Sequence, residues 1–163
     1  MADVLIFEDC NDEIAKIVKW LGLEEGDFAV SPVFDMEAER HIGPNAGAAA
    51  GYRRVEADVR HSRPRVVVLD YLLTGIEGNM PFDGLAYGTQ LKEQWPDLGV
   101  IIVTTGGPVI GSQEMLNEQK QLHGWPIDYA WIKNWSEEAM GAYEDTVVQP
   151  MIEALIAQSI RPE

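Results

Sequence analysis

The sequence predicts an α/β protein in which a doubly wound, five-stranded parallel sheet is covered by helices on both faces. Three observations support this fold class. Short, continuous apolar runs alternate along the chain with segments of helical periodicity. The clear apolar runs each stop at a polar residue, which is typical of strands buried on both faces. The chain also lacks internal repeats and apolar segments of membrane-spanning length, so no other architecture competes.

The amino-terminal segment predicts a strand, a helix and an edge strand. The apolar run at Val4–Phe7 forms the first strand. The helix that follows has apolar residues at helical spacing, namely Ile14, Ile17, Val18 and Leu21. Gly22 stands where a helix C-cap belongs. Residues 28–34 predict a weaker strand, and Pro32 favours its placement at a sheet edge.

The middle of the chain contains its clearest buried strand. A Gly/Ala-rich stretch, residues 43–51, leads into a charged helix that ends near Arg60, and we assign no function to this stretch. Residues 65–69 then form a Val-rich run that predicts a central strand. This strand delivers Asp70 at its carboxyl end.

The remaining elements alternate between helix and strand. They are a helix at residues 85–95, a strand at 100–103, a helix at 112–123, a strand at 128–132 and a final helix. The first of these helices stops before Pro96, because a residue that precedes proline disfavours helical backbone. Ser136 is a suitable N-cap for the final helix. Pro150 should kink that helix or divide it in two.

Composition predicts one globular domain, residues 1–163, without a separate output domain. A chain of 163 residues that is 46% hydrophobic builds one core and leaves little room for a second. The net charge of -15 would repel nucleic acid and anionic lipid, so we expect neither as a partner. Cys10 is the only cysteine, and the amino terminus lacks a signal-peptide pattern. We therefore expect a cytoplasmic location.

The polar residues that follow the strands carry the candidate chemistry. In a doubly wound sheet, ligands bind beyond the carboxyl ends of the strands. The residues at those ends are Glu8, Asp9, Asp70, Thr104 and Lys133. Three carboxylates about 4 to 5 Å apart would repel by a few kcal/mol per pair, so a cation such as Mg²⁺ is expected among them. Taken singly, each residue also has a structural explanation as a helix-dipole acid, a loop aspartate or a surface lysine.

Five ordered motifs together resemble the receiver domains of two-component response regulators. They are residues 4–9 (VLIFED), 66–70 (VVVLD), 75–78 (GIEG), 96–105 (PDLGVIIVTT) and 129–133 (YAWIK). The match spans nearly the whole chain. The resemblance implies a flavodoxin-like sheet with strand order 2-1-3-4-5.

The resemblance also implies a site and its partners. The implied Mg²⁺ ligands are the carboxylates of Glu8, Asp9 and Asp70 and the backbone carbonyl of Leu72. Asp70 would accept a phosphoryl group from a histidine kinase or a phosphotransfer protein, and Thr104 and Lys133 would contact the phosphoryl oxygens. Beyond this self-modification the domain would not be an enzyme. Its output would pass to a downstream protein partner or a homodimer.

Departures from the family pattern keep a second hypothesis open. Thr74 and Asn134 stand where the family has proline, Thr105 replaces an alanine, and Ala130 replaces an aromatic residue of the signalling switch. An unphosphorylated pseudo-receiver that acts as a constitutive interaction module is the alternative function. A phosphatase of the haloacid-dehalogenase type is disfavoured, because it needs a second acid where this chain has Leu72.

The chain also carries about six residues more than the family pattern requires after the 75–78 turn. The insertion places Glu77, Asn79 and Met80 beside the predicted phosphorylation loop. These residues could control the access of water or a partner, or they could form an ordinary surface loop.

Overall fold

The computed structural model of the chain describes residues 1–8, 11–31, 47–70, 72–73, 82–104, 113–132 and 148–163. The strands are β1 (Val4–Phe7), β2 (Phe28–Val30), β3 (Val66–Asp70), β4 (Leu72–Leu73), β5 (Phe82–Asp83), β6 (Gly99–Thr104) and β7 (Tyr129–Ile132). The helices of these ranges are α1 (Asn11–Leu21), α2 (Gly47–Ser62), α3 (Gly84–Gln94), α4 (Gln113–His123) and α5 (Gln149–Gln158). None of the helices in these ranges has the length and hydropathy needed to cross a bilayer.

Five strands form one parallel sheet in the order β2-β1-β3-β6-β7. Counted along the chain among themselves, these strands have the order 2-1-3-4-5, so the predicted fold class and topology are confirmed. The strand order reverses between β1 and β3, where the chain crosses from one half of the sheet to the other. In folds of this type, that reversal marks the ligand-binding end of the sheet.

Two hydrophobic layers enclose the sheet, and the strands supply alternate residues to each. The first, called here the α2–α4 layer, includes Leu5, Phe7, Val67, Leu69, Val100, Ile102 and Ala130 of the sheet, with Val55, Val59, Tyr87, Leu91 and Leu116 of the helices. The second, the α1/α5 layer, includes Val4, Ile6, Val66, Val68, Ile101, Val103 and Trp131, with Ile17, Trp20, Leu21, Ile152 and Leu155. Burial on both faces explains why the strands are continuous apolar runs rather than alternating ones.

Glycine ends α1 as the sequence predicts. Gly22 has a φ of +69°, a backbone conformation that L side chains rarely adopt. The Gly22 amide donates to the carbonyl of Lys19 at 3.1 Å, and the Leu23 amide donates to that of Val18 at 3.0 Å. These two bonds form a Schellman motif, which satisfies carbonyls that the end of the helix would otherwise leave without donors.

The boundaries of α2 and β2 differ most from the sequence-based expectation. α2 begins at Gly47, inside the Gly/Ala-rich stretch, because the alanines that follow are strong helix formers. β2 ends at Val30 rather than extending to residue 34, and residues 32–34 lie outside the described ranges. Pro150 lies in the first turn of α5. Backbone N–H groups in the first turn of a helix have no acceptor within the helix, so the N–H that proline lacks costs no helical hydrogen bond there. The predicted helix that begins after Ser136 falls on residues that the structure does not describe.

A short antiparallel ribbon follows the central strand, where the sequence had predicted only a loop. Leu72 of β4 pairs with Asp83 of β5, and Leu73 pairs with Phe82. Residues 74–81, which include most of the predicted insertion, join the two strands and lie outside the described ranges. The ribbon therefore returns the chain to the edge of the sheet, directly at the start of α3.

Candidate functional site

Two acidic residues lie side by side at the carboxyl edge of the sheet. Asp70 is the last residue of β3, and Glu8 directly follows β1. Phe7 pairs with Leu69 in the sheet. The residues that directly follow them, Glu8 and Asp70, therefore lie next to each other in the same register. Neighbouring strands lie about 4.8 Å apart, which sets the spacing of the two backbones.

Thr104 brings a hydroxyl to the same edge from the adjacent strand. It is the last residue of β6, one position beyond Val103, which pairs with Asp70. On its other side, Thr104 pairs with Ile132, the last residue of β7. Glu8, Asp70 and Thr104 thus lie at the carboxyl ends of three consecutive strands of the sheet, β1, β3 and β6.

All three of these strand-end residues are buried. Glu8 is 3% exposed, while Asp70 and Thr104 are each 7% exposed. Buried polar groups are costly unless they are hydrogen-bonded, paired with charge or bound to a metal. The two carboxylates and the hydroxyl are therefore buried strand-end groups rather than parts of a solvated surface.

Strand alternation directs the two carboxylates to the same face. Glu8 has the parity of Val4 and Ile6 on β1, and Asp70 has that of Val66 and Val68 on β3. All four of these apolar residues belong to the α1/α5 layer. Since side chains alternate between faces along a strand, both carboxylates lean toward this side of the sheet.

The electrostatics of this pair fit a divalent cation. Two carboxylates about 5 Å apart repel by about 3 kcal/mol at an effective dielectric of 20. Hard cations such as Mg²⁺ prefer carboxylate oxygens, and one or two protein carboxylates are typical of Mg²⁺ sites that also meet a phosphate. Within the ranges described above, no group of three His, Cys, Asp or Glu residues forms a metal site. Glu8 and Asp70 are the two carboxylates of the predicted ligand set that lie in the described ranges, and their binding of Mg²⁺ stays a prediction.

The remaining predicted site residues are Asp9, Leu72 and Lys133. Asp9 and Lys133 lie outside the described residues, so their roles stay predictions. Leu72 lies in β4, two positions after Asp70, which keeps its backbone close to that carboxylate along the chain. The binding of Mg²⁺ by the Leu72 carbonyl also stays a prediction.

The aromatic neighbours of Ala130, Tyr129 and Trp131, lie on the face of the sheet opposite to that of Thr104. By alternation along β6, Thr104 belongs to the α2–α4 side, which is also the side of Ala130. Trp131 packs in the opposite layer, where its ring stacks on Tyr129 at 5.0 Å and meets Trp20 edge-on at 5.3 Å. Neither aromatic ring can therefore replace the missing one beside the Thr104 hydroxyl.

A glutamine that the sequence analysis did not single out contacts the last strand. The Gln113 side chain accepts a hydrogen bond from the Ile132 amide at 2.8 Å and donates one to the Ala130 carbonyl at 2.8 Å. It also donates to the Asn117 side chain at 2.9 Å. A glutamine in a polar helix carries no sequence signal for such contacts, so only the tertiary structure could identify it.

Comparisons with known proteins bear on the fold. No family model and no curated protein matches the chain. The chain is similar to the crystal structure of adenylate cyclase from Rhodopirellula baltica, with a TM-score of 0.53 and 12% identity over 97% of this chain and 90% of that one. A response regulator receiver domain protein from Clostridium thermocellum gives a TM-score of 0.49 and 13% identity, over 94% and 99% of the two chains. The order of the five parallel strands leads to one conclusion, that this chain has the flavodoxin-like fold that the sequence predicts.

Proposed function

We propose that this chain is a phosphoacceptor receiver in which Asp70 takes a phosphoryl group from a histidine kinase or a phosphotransfer protein. The observation that carries the proposal is the buried pair of carboxylates, Glu8 and Asp70, at the carboxyl edge of the sheet. Thr104 ends the next strand at the same edge of the sheet. An aspartate can act as a covalent nucleophile toward phosphorus when the transferred oxygens are neutralised.

The proposed reaction uses few protein groups. A carboxylate oxygen of Asp70 attacks the phosphorus and forms an O–P bond, while the P–N bond to the donor imidazole breaks. The electron pair of that bond stays on the imidazole nitrogen, which is then free to take a proton. Bound Mg²⁺ would neutralise charge on the phosphoryl oxygens. Glu8 and Asp9 would hold the ion, the Thr104 hydroxyl would donate to a phosphoryl oxygen, and the Lys133 ammonium would pair with another.

The proposed output is a shift between two conformations of the domain. A phosphoryl group that contacts Thr104 and Lys133 in one conformation only would favour that conformation by the difference in its interaction energy. A downstream protein or a second copy of the chain would bind the favoured surface. The domain would catalyse only its own phosphorylation and dephosphorylation.

Labelling with a small phosphodonor tests the proposal. Wild-type protein incubated with acetyl phosphate and Mg²⁺ should gain the mass of one phosphoryl group, and Asp70→Asn should gain none. Asp97→Asn is the matched control, because Asp97 is an exposed carboxylate at the opposite edge of the sheet and should label like wild type. Equal labelling of wild type and Asp70→Asn would contradict the proposal, as would loss of labelling in Asp97→Asn.

The second candidate function is a constitutive interaction module with the same fold. It is favoured by the small Ala130 side chain on the Thr104 side and by the opposite placement of Tyr129 and Trp131. Folded wild-type protein that stays unlabelled with Mg²⁺ and phosphodonor would support this function. Rapid labelling at Asp70 would exclude it.

A further inference from the structure

We propose that Gln113 is the positioning residue that couples the phosphoryl site to α4. This inference rests on the proposed function, since it concerns how phosphorylation of Asp70 reaches a neighbouring helix. Four observations carry it: the hydrogen bonds of Gln113, its closeness along the chain to Thr104, the single buried side chain of α4 and the small side chain of Ala130.

The Gln113 amide binds the outer edge of β7 as a neighbouring strand would. β7 is an edge strand, and β6 pairs with only one of its sides. On its other side, the Ala130 carbonyl and the Ile132 amide bond to the two ends of the Gln113 amide group, each at 2.8 Å. This two-point contact fixes the orientation of the side chain and satisfies groups that an edge strand leaves without partners.

The contact lies close to the proposed site along the chain. Gln113 is the first residue of α4 and comes nine positions after Thr104 in the chain. Ile132 pairs with Thr104 in the sheet and directly precedes Lys133. Both residues proposed to contact the phosphoryl group are therefore connected, through short stretches of chain, to the two partners of this link.

Within the described part of the chain, α4 buries one side chain. Leu116 is the one buried side chain of this helix, whereas Met115 and Leu122 are 43% and 75% exposed. Elements with few buried apolar contacts open and shift at low free-energy cost. The two hydrogen bonds of Gln113 attach the first turn of α4 directly to β7.

Position 130 offers no aromatic ring as an alternative connection on this side of the sheet. Ala130 faces the α2–α4 layer with a single methyl group, and Trp131 faces the other layer. A displacement of the end of β7 by the phosphoryl contacts would therefore pass to α4 through main-chain atoms and Gln113. Without this side chain, α4 would keep its fold but lose the signal.

Beryllofluoride, a mimic of the phosphoryl group, separates uptake at Asp70 from the response of α4. Uptake is followed by ¹⁹F NMR in Mg²⁺, and the response is the change in amide hydrogen exchange over residues 113–123. Wild type should take up the probe and change its exchange in α4. Gln113→Met keeps the length of the side chain without its hydrogen bonds, so it should take up the probe and lose most of the change. Gln121→Ala, an exposed glutamine of the same helix, should behave like wild type.

A conservative variant keeps the test decisive if Gln113→Met does not fold. Gln113→Glu retains an acceptor for the Ile132 amide and loses the donor to Ala130, so its α4 response should lie between those of wild type and Gln113→Met. A full wild-type response in the folded Gln113 variants would overturn the coupling role while leaving phosphorylation of Asp70 intact. Failure of wild type to take up the probe would overturn both proposals.

Discussion

Glu8 and Asp70 are the residues whose placement is hardest to explain by stability alone. Both residues are buried where a strand ends, and the two strands are neighbours in the sheet. Apolar side chains at these positions would avoid both the desolvation cost and the mutual repulsion. A folded chain that keeps two acids there must offset the cost by its contacts, and a bound cation would add to that compensation.

A Mg²⁺ titration of stability follows from this pair. An ion that binds only the folded state raises the free energy of unfolding by about 2.7 kcal/mol at a concentration of 100 times its Kd. We expect Mg²⁺ to stabilise wild type, and Glu8→Gln to reduce this gain by half or more because one ligand charge is lost. Urea unfolding at increasing MgCl₂ measures the effect.

The matched control for this titration is Glu153→Gln, which changes an exposed acid of α5 and should retain the full Mg²⁺ effect. The same Mg²⁺ gain in Glu8→Gln and wild type would show that Glu8 is not a ligand.

The elements are fastened together at the edge of the sheet opposite the site. Lys92 of α3 donates at 2.8 Å both to the Leu98 carbonyl and to the carboxylate of Asp128. The same carboxylate oxygen accepts the Val100 amide at 2.8 Å. This cluster ties the last turn of α3 to the starts of β6 and β7 and restrains their relative motion.

Removal of the Lys92 ammonium should weaken the whole domain. Lys92→Met keeps most of the side-chain volume but leaves the Asp128 carboxylate, which is 22% exposed, without its cation. We expect a loss of about 1 to 3 kcal/mol in the free energy of unfolding, measured by urea denaturation. A double-mutant cycle with Asp128→Asn should show a coupling energy of at least about 0.5 kcal/mol.

Lys120→Met, on α4, is the control for a lysine outside this cluster and should change stability by less than about 0.5 kcal/mol. Equal losses in the two lysine variants would show that the cluster contributes little.

Sequence patterns predicted the elements unequally, for a physical reason. The central strands β1, β3 and β6 are buried on both faces, so each appears as an uninterrupted apolar run. The ribbon of β4 and β5 has two residues per strand, and its main-chain pairing requires no particular side chains. The start of α2 was missed because glycines at 47 and 51 obscure the helical preference of the alanines between them.

At the scale of the whole molecule, Arg161 holds the two ends of the chain together. Its guanidinium donates to the Ala2 carbonyl at 3.0 Å and to the Arg63 carbonyl at 2.6 Å, and it pairs with the Asp3 carboxylate. Arg65 pairs with the same Asp3 carboxylate oxygen at 3.3 Å and donates to the Ser159 carbonyl at 3.1 Å. These arginines therefore stabilise the fold.

The planar guanidinium of Arg161 should be hard to replace. Arg161→Lys preserves the charge but cannot reach several acceptors in fixed directions, so we expect a loss of about 1 to 2 kcal/mol in the free energy of unfolding. Hydrogen exchange of the β1 amides should also increase, because Asp3 and Ala2 lose their partner.

Arg53→Lys, at an exposed position of α2, provides the matched control and should leave both measurements unchanged. An unchanged midpoint in urea for Arg161→Lys would argue against this role of the guanidinium.

The candidate site was predictable as far as strand ends reveal it. Apolar runs that stop at Glu8, Asp70 and Thr104 predict that these residues share one edge of the sheet. The sheet register brings them to the ends of consecutive strands. The sequence could not predict Gln113, because its partners are main-chain groups of a strand distant from its own helix.

By itself, the sequence determined the fold class, the parallel sheet and the residues at its carboxyl edge, since periodicity and burial are local consequences of side-chain type. Only the tertiary structure decided which faces Thr104 and Trp131 occupy, how α4 is attached and what the arginines bind. Those features depend on strand register and on contacts between main-chain groups, which are alike in every residue and leave no pattern in the sequence.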